Sequence, residues 1–220
     1  MRVGSLFAGI GGFDLGLERA GFAIAWQCEI DPYCQRVLAK HWPAVTRYSD
    51  ITTTDWHAVS PVDLICGGFP CQPFSTASHG KRTATSLWPA MLAVVGIVKP
   101  TWVLIENVAG AANLVFNQVA TDLEGLGYEV APPLEIPACA VGLDHWRPRY
   151  WLLAYSDKGR QPSRSQYAEA SQLSGGCGQL SSMGGPYGVP RELDRLRALG
   201  NAIVPQIAEH IGRSILHAKQ

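Results

Sequence analysis

The chain reads as an α/β protein built on a mostly parallel, doubly wound sheet, and three observations predict this. It opens on a strand, a glycine-rich turn and a helix, the first unit of a nucleotide-binding α/β fold. The runs Val62-Asp63-Leu64-Ile65-Cys66 and Thr101-Trp102-Val103-Leu104-Ile105 are too continuously apolar for strands with one wet face, so both faces must be covered. Stretches of helical periodicity separate the apolar runs, which implies crossover connections and parallel pairing.

At 220 residues the length suits one domain, or one domain with a small appendage. A hydrophobic share of 47% against 16% charged residues is that of an ordinary soluble globular protein. No apolar run is long enough to span a bilayer, and Met1-Arg2-Val3-Gly4 leads into a strand rather than a signal peptide, so the chain is expected in the cytosol. The cysteines form no Cys-x-x-Cys pair and have no histidines at ligand spacing, so neither a zinc site nor a disulfide framework is expected. A formal net charge of zero argues by itself against nucleic-acid binding, which needs Lys and Arg for phosphates. The distribution is uneven, however: 8 basic and 12 acidic residues precede Asp144, and 10 and 6 follow from there. That asymmetry makes a basic face plausible in the C-terminal third.

Arg2 to Phe7 is the first strand, Ala8-Gly9-Ile10-Gly11-Gly12 the turn, and the first helix runs through Leu15, Leu17 and Ala20. Backbone amides at such a helix start approach a ligand closely. The strand Phe22 to Cys28 ends at Glu29, about 20 residues after Gly9, where these folds place an acid on ribose hydroxyls. Asp31 before Pro32 already supplies the cap of the next helix, which leaves Glu29 as a ribose ligand candidate. That helix runs from Pro32 to Lys40, and a short third strand, Thr46 to Tyr48, ends at Ser49-Asp50-Ile51.

The strand over Val62 to Cys66 delivers Gly67-Gly68-Phe69-Pro70-Cys71-Gln72-Pro73-Phe74-Ser75. Burial as a small apolar residue is the ordinary fate of a free cysteine, and it fits Cys66. Cys71 differs, because Pro70 and Pro73 stiffen its loop while Gly67-Gly68 let the backbone bend, so its thiol is read as a nucleophile at the sheet edge. Thr76 to Thr85 is a polar loop carrying Lys81-Arg82, suited to phosphates. Ser86 is expected to cap a helix holding Met91, Val94, Val95 and Val98, which Lys99-Pro100 ends. The strand over Thr101 to Ile105 leads into Glu106-Asn107-Val108, at the same carboxyl edge as Cys71. Desolvation there raises a carboxylate's proton affinity, which suits a proton donor.

Val115, Val119, Leu123 and Leu126 mark an amphipathic helix, and Tyr128 to Leu134 another strand. Gly142 to Trp146 then leads through Arg147, Pro148 and Arg149 into an apolar strand. Tyr155 to Pro190 is rich in Gly, Ser and Gln and cannot build an independent core. Arg191 to Leu199 reads as a short basic helix. Pro205 opens a closing helix whose stripe, Val204, Ile207, Ile211 and Ile215, is expected to pack beside the first helix.

Phe69-Pro70-Cys71-Gln72 with Phe74-Ser75 resembles the catalytic motif of the cytosine-5 DNA methyltransferases. Further motifs follow in family order across nearly the whole chain. Glu106-Asn107-Val108 is similar to the family's glutamate motif, Arg147 and Arg149 match its spaced arginines, and Gly200-Asn201-Ala202-Ile203-Val204-Pro205 matches its last motif. His145 departs from the pattern, standing where glutamine is usual. The resemblance implies a compact member with a Rossmann-like S-adenosylmethionine-dependent methyltransferase fold. The catalytic domain would take residues 1–154 plus 191–220, and 155–190 would be a reduced target-recognition segment, shorter than in the family.

The resemblance also implies the cofactor S-adenosylmethionine, held by Phe7, Gly9, Gly11, Gly12, Glu29, Ile30, Asp50, Ile51, Pro70, Asn201 and Ala202, with Asp50 on the adenine amino group. It implies a monomer acting on double-stranded DNA through Gln72, Ser75, Lys81 and Arg82, with no metal and no membrane. In the implied chemistry the Cys71 thiolate attacks carbon 6 of a flipped cytosine while Glu106 protonates the ring nitrogen, and carbon 5 takes the methyl group. Arg147 and Arg149 complete the catalytic set, a guanidinium holding the pyrimidine carbonyl. Two alternatives stay open: an RNA cytosine methyltransferase using the same residues, and a catalytically silent or partner-dependent DNA-binding relative.

Overall fold

A computed structural model describes residues 1–70, 86–108, 112–156 and 202–218. Eight strands form one sheet in the order β3-β2-β1-β4-β5-β8-β6, with β7 also paired to β8. The strands are β1 (Arg2–Leu6), β2 (Ala23–Cys28), β3 (Thr46–Tyr48), β4 (Leu64–Gly67), β5 (Trp102–Val108), β6 (Tyr128–Val130), β7 (Leu134–Pro137) and β8 (Pro148–Ser156). Among the described residues, five α-helices accompany them: α1 (Gly12–Ala20), α2 (Pro32–His41), α3 (Trp88–Val98), α4 (Ala112–Gly125) and α5 (Pro205–Ala218). The pairs β3-β2, β2-β1, β1-β4 and β4-β5 are parallel, as the apolar runs require.

Period-2 alternation divides the core between the two faces of the sheet. On one face Ile65, Val103 and Ile105 pack with Met91 and Val94 of α3 and Val119 and Leu123 of α4. On the other, Leu64, Cys66, Trp102 and Leu104 pack with Phe13 and Leu17 of α1 and Ile207, Ile211 and Ile215 of α5. The helices α1 and α5 lie against each other as expected, and glycine makes the approach possible. A Cβ on Gly16 would stand 2.2 Å from the Pro205 carbonyl oxygen and 2.8 Å from the Ala208 Cβ.

Several elements depart from the sequence expectation. The strand expected over Tyr128 to Leu134 is two strands, because Pro132 and Pro133 lack the N–H groups a ladder needs. β8 runs antiparallel to β5, from Trp102↔Tyr155 to Val108↔Arg149. Its N-terminal end therefore meets the carboxyl edge of the parallel strands. β5 itself continues through Glu106 to Val108, so Glu106 is held within the ladder and not just beyond it. Ser86 is one residue short of the α3 cap position, which is Leu87, yet its hydroxyl oxygen accepts from the Trp88 amide at 3.2 Å. Cys139 is disulfide-bonded, a single bridge that the sequence did not lead one to expect. The polar loop at 76–85, most of the segment at 155–190 and the basic stretch at 191–199 also lie outside them.

Candidate active site

Parallel pairing of β4 with β5 matches Gly67 to Ile105, which sets the segment leaving β4 beside Glu106. Gly68 is pressed against that carboxylate: a Cβ there would stand 2.9 Å from Glu106 Oε2. One residue on, Asn107 is buried, donates from Nδ2 to the Phe69 carbonyl at 3.2 Å and accepts from the Val108 amide at 2.8 Å. The backbone that leads through Pro70 to Cys71 is thus tied to the strand that carries Glu106. Pro70 is exposed at the end of this run, while the Phe69 ring packs on Trp88 at 5.5 Å.

Glu106 is 8% exposed. Burial pushes its carboxyl up from an ordinary 4.5 to about 7, against the opposing pull of the Arg149 and Arg147 charges. Arg149 Nε stands 3.0 Å from Glu106 Oε1, across the β5-β8 ladder. The ion pair favours the charged form and desolvation the neutral one; desolvation prevails because the carboxylate gives up nearly all its water. A group poised near neutrality can both give and hold a proton.

The two arginines divide their work. Arg147 stands outside the strand, and its φ of 27° lies in the left-handed region. Its Nη2 donates to the Ala202 carbonyl at 2.7 Å, joining the closing segment to the start of β8. Only Arg149 sits in the strand beside the carboxylate.

The glycine turn is built around Glu29. Its Oε2 accepts from the Gly9 amide at 2.7 Å and its Oε1 from the Asp31 amide at 2.8 Å. Asp31 caps α2 by accepting from Tyr33 and Cys34. Phe7 has φ 52°, Gly9 φ 56° and Gly11 φ 88°, so the turn concentrates left-handed backbone where only glycine is relaxed. A Cβ on Gly9 would meet nothing within 4 Å, whereas one on Gly12 would strike the Ile203 carbonyl oxygen at 2.6 Å. The space above Gly9 is therefore open and that beside Gly12 is filled by the closing segment. Ile30 is 68% exposed next to Glu29. Asp50 accepts from the amide and hydroxyl of Thr52, which holds its carboxyl below the usual range. Ile51, by contrast, is buried in the core.

Of the expected site residues, Cys71, Gln72, Ser75, Lys81, Arg82 and Asn201 lie outside the described residues. The other cysteines near the sheet make poor nucleophiles: burial pushes the Cys28 thiol up to about 12 and raises that of Cys66 well above the ordinary range. Sequence reasoning missed Asp14. It is wholly buried beneath the glycine turn, accepting from Ser5 Oγ at 3.1 Å and Gln27 Nε2 at 2.8 Å. Burial raises its carboxyl from 3.8 to about 6. On an amphipathic first turn an aspartate reads as a solvated acid, so no local signal marks it.

Sheet order, glycine turn and strand-end carboxylate define a Rossmann-like α/β fold of the S-adenosylmethionine-dependent methyltransferase class. Residues 1–174 match the C-5 cytosine-specific DNA methylase family, and the chain belongs to it. It is 34% identical to type II methyltransferase M2.BsuMI of Bacillus subtilis over 165 residues, 70% of this chain and 42% of that one. It is 33% identical to type II methyltransferase M.HgiCII of Herpetosiphon aurantiacus over 181 residues, 76% of this chain and 40% of that one. The chain thus spans about two-fifths of the length of these relatives. A solved DNA modification methyltransferase encoded within an E. coli prophage superposes with TM-score 0.61 at 27% identity, over 72% of this chain and 47% of that one. The S. pombe Dnmt2 methyltransferase shares the fold at TM-score 0.61 and 22% identity, over 82% of this chain and 57% of that one. No described helix is long and apolar enough to cross a membrane, and no described cluster of His, Cys, Asp and Glu would hold a metal.

Proposed function

We propose that this chain is a DNA cytosine-5 methyltransferase that works through a covalent Cys71 adduct. The observation that carries the reading is Glu106, its carboxyl near 7, set beside Arg149 and against the backbone that leads into Cys71. Cytosine carbon 6 is a poor electrophile until the ring nitrogen gains a proton or a strong hydrogen bond. Glu106 supplies that proton as the Cys71 sulfur bonds to carbon 6, and the electron pair of the double bond moves to carbon 5. Arg149 holds the carboxylate in place and stabilises the charge left after proton transfer. After carbon 5 is alkylated, loss of its proton and departure of the thiolate restore the ring and leave Glu106 to recover its proton. The base must leave the helical stack, because a thiol cannot reach carbon 6 of a paired cytosine.

The residues present fit S-adenosylmethionine, which when bound would supply an electrophilic methyl group. The open space at Gly9, the left-handed turn from Phe7 to Gly11 and the exposed Ile30 suit close approach of a nucleoside. Glu29 fixes the turn by its bond to the Gly9 amide and would face the ribose, with Asp50 toward the adenine amino group. Gly12 and Ala202 would close the far wall. The expected DNA contacts, Gln72, Ser75, Lys81 and Arg82, follow Cys71 in the chain, and 155–190 would complete target recognition.

Tritiated methyl transfer to duplex DNA tests the reading. The wild-type chain should label DNA and not transfer RNA, and Cys71→Ser should abolish labelling while cofactor binding, read by calorimetry, persists. Unchanged turnover in Cys71→Ser would refute the assignment, and labelling of RNA alone would move the substrate to the RNA alternative.

A further inference from the structure

Trp146 stands apart from the other tryptophans. It is 55% exposed, while Trp26, Trp56, Trp88, Trp102 and Trp151 are each 6% exposed or less and Trp42 is half-buried. Its place in the fold gives that exposure a meaning. Because β8 is antiparallel to β5 and Arg149 pairs with Val108, the residues ahead of β8 project past the carboxyl edge on which Glu106 lies. Trp146 precedes the first β8 residue by two positions and so lies beyond the paired ladder.

The turn that presents it is anchored. The Arg147 carbonyl accepts from the Ala138 amide at 3.3 Å, and the Arg147 side chain turns inward to Ala202. Arg147 also carries the left-handed φ of 27°, so the chain bends sharply between an inward guanidinium and the exposed indole. Next to Trp146 in the chain stand Arg147, the exposed His145 and the exposed Asp144, with Arg149 following after Pro148. An exposed indole beside the edge that holds Glu106 and Arg149 suits a nucleic-acid base, which offers an aromatic face for stacking.

We propose that Trp146 is a base-stacking residue, laying its indole on a nucleobase adjacent to the target cytosine. The proposal rests on the DNA methyltransferase reading. When a base leaves the helix its neighbours lose a stacking partner, and an exposed indole at the same edge replaces part of that contact.

The test uses a duplex with one cytosine opposite an abasic site and 2-aminopurine on either side of it. The wild-type chain should quench 2-aminopurine on binding. Trp146→Ala should lose the quench and about tenfold or more in affinity, and Trp146→Phe should recover much of both. Cofactor binding and melting temperature should be unchanged in both variants. Wild-type quench and affinity in Trp146→Ala would overturn the inference. So would loss of the fold or of cofactor binding in both variants, which would assign the indole to packing against the chain itself. Binding and quenching by a wild type that methylates no DNA would fell the functional reading and leave the stacking result standing. A wild type that binds no such duplex would fell both.

Discussion

Replacing Glu106 with glutamine separates the energetics of this carboxyl from its chemistry. The folded protein holds the group at about 7 and the unfolded chain near the ordinary 4.5, so between those values the folded state keeps a proton that the unfolded state has released. A carboxyl raised in this way contributes stability below the unfolded value and loses it as pH rises through the folded one. Integrated from pH 5 to pH 8, the loss is about 2.5 kcal/mol, and glutamine, which does not titrate, escapes it. Urea unfolding of both proteins at the two pH values should therefore show the difference between them shifting by that amount in favour of Glu106→Gln. The ion pair with Arg149 forms only as Glu106 ionises, so its contribution is already contained in the value of about 7 and adds no separate pH-dependent difference. In methyl transfer the same variant keeps a hydrogen bond but has no proton to give, so turnover should fall by roughly 10²–10⁴ with DNA affinity little changed. Equal pH dependence of stability in the two proteins would refute the burial argument, and a selective loss of DNA binding would refute the proton-donor role.

Gly16→Ala tests the α1-α5 contact with opposed expectations. Alanine in a helix is worth up to about 1 kcal/mol over glycine, but here its Cβ meets the Pro205 carbonyl oxygen at 2.2 Å. The variant should lose roughly 1–3 kcal/mol, a fall of several degrees in calorimetric Tm, and a rise would show that the helices yield easily. Asp14→Asn removes a buried carboxyl raised from 3.8 to about 6, whose stabilising protonation is lost as pH climbs through that interval. From pH 5 to pH 8 its stability relative to wild type should improve by about 1.4 kcal/mol in denaturant titrations, and a constant difference would contradict the buried assignment.

The chain's order of strands and helices was readable because each element carries its own local pattern. Uninterrupted apolar runs marked β4 and β5 as buried on both faces, and the Ile207, Ile211 and Ile215 stripe marked α5. Glycines and prolines located the turn at Gly9 and the exit from β4. The approach of Gly68 to Glu106 follows from the same patterns, since neighbouring parallel strands end at one edge. Two elements departed from that pattern, one for a local reason and one for a distant one. Pro132-Pro133 breaks a strand that apolar content alone would continue, and β8 turns antiparallel because the chain re-enters the sheet beyond β5.

What the sequence by itself determined is therefore the set of elements, the family motifs they carry and the edge on which those motifs gather, all of which are encoded within short spans. Only the tertiary structure decided that Arg149 stands 3.0 Å from the carboxylate, that Glu29 ties down the Gly9 amide, and that Asp14 lies wholly out of water. A proton affinity or an ion pair depends on how much solvent remains and which charge stands opposite, and both are set by chain segments far apart in sequence.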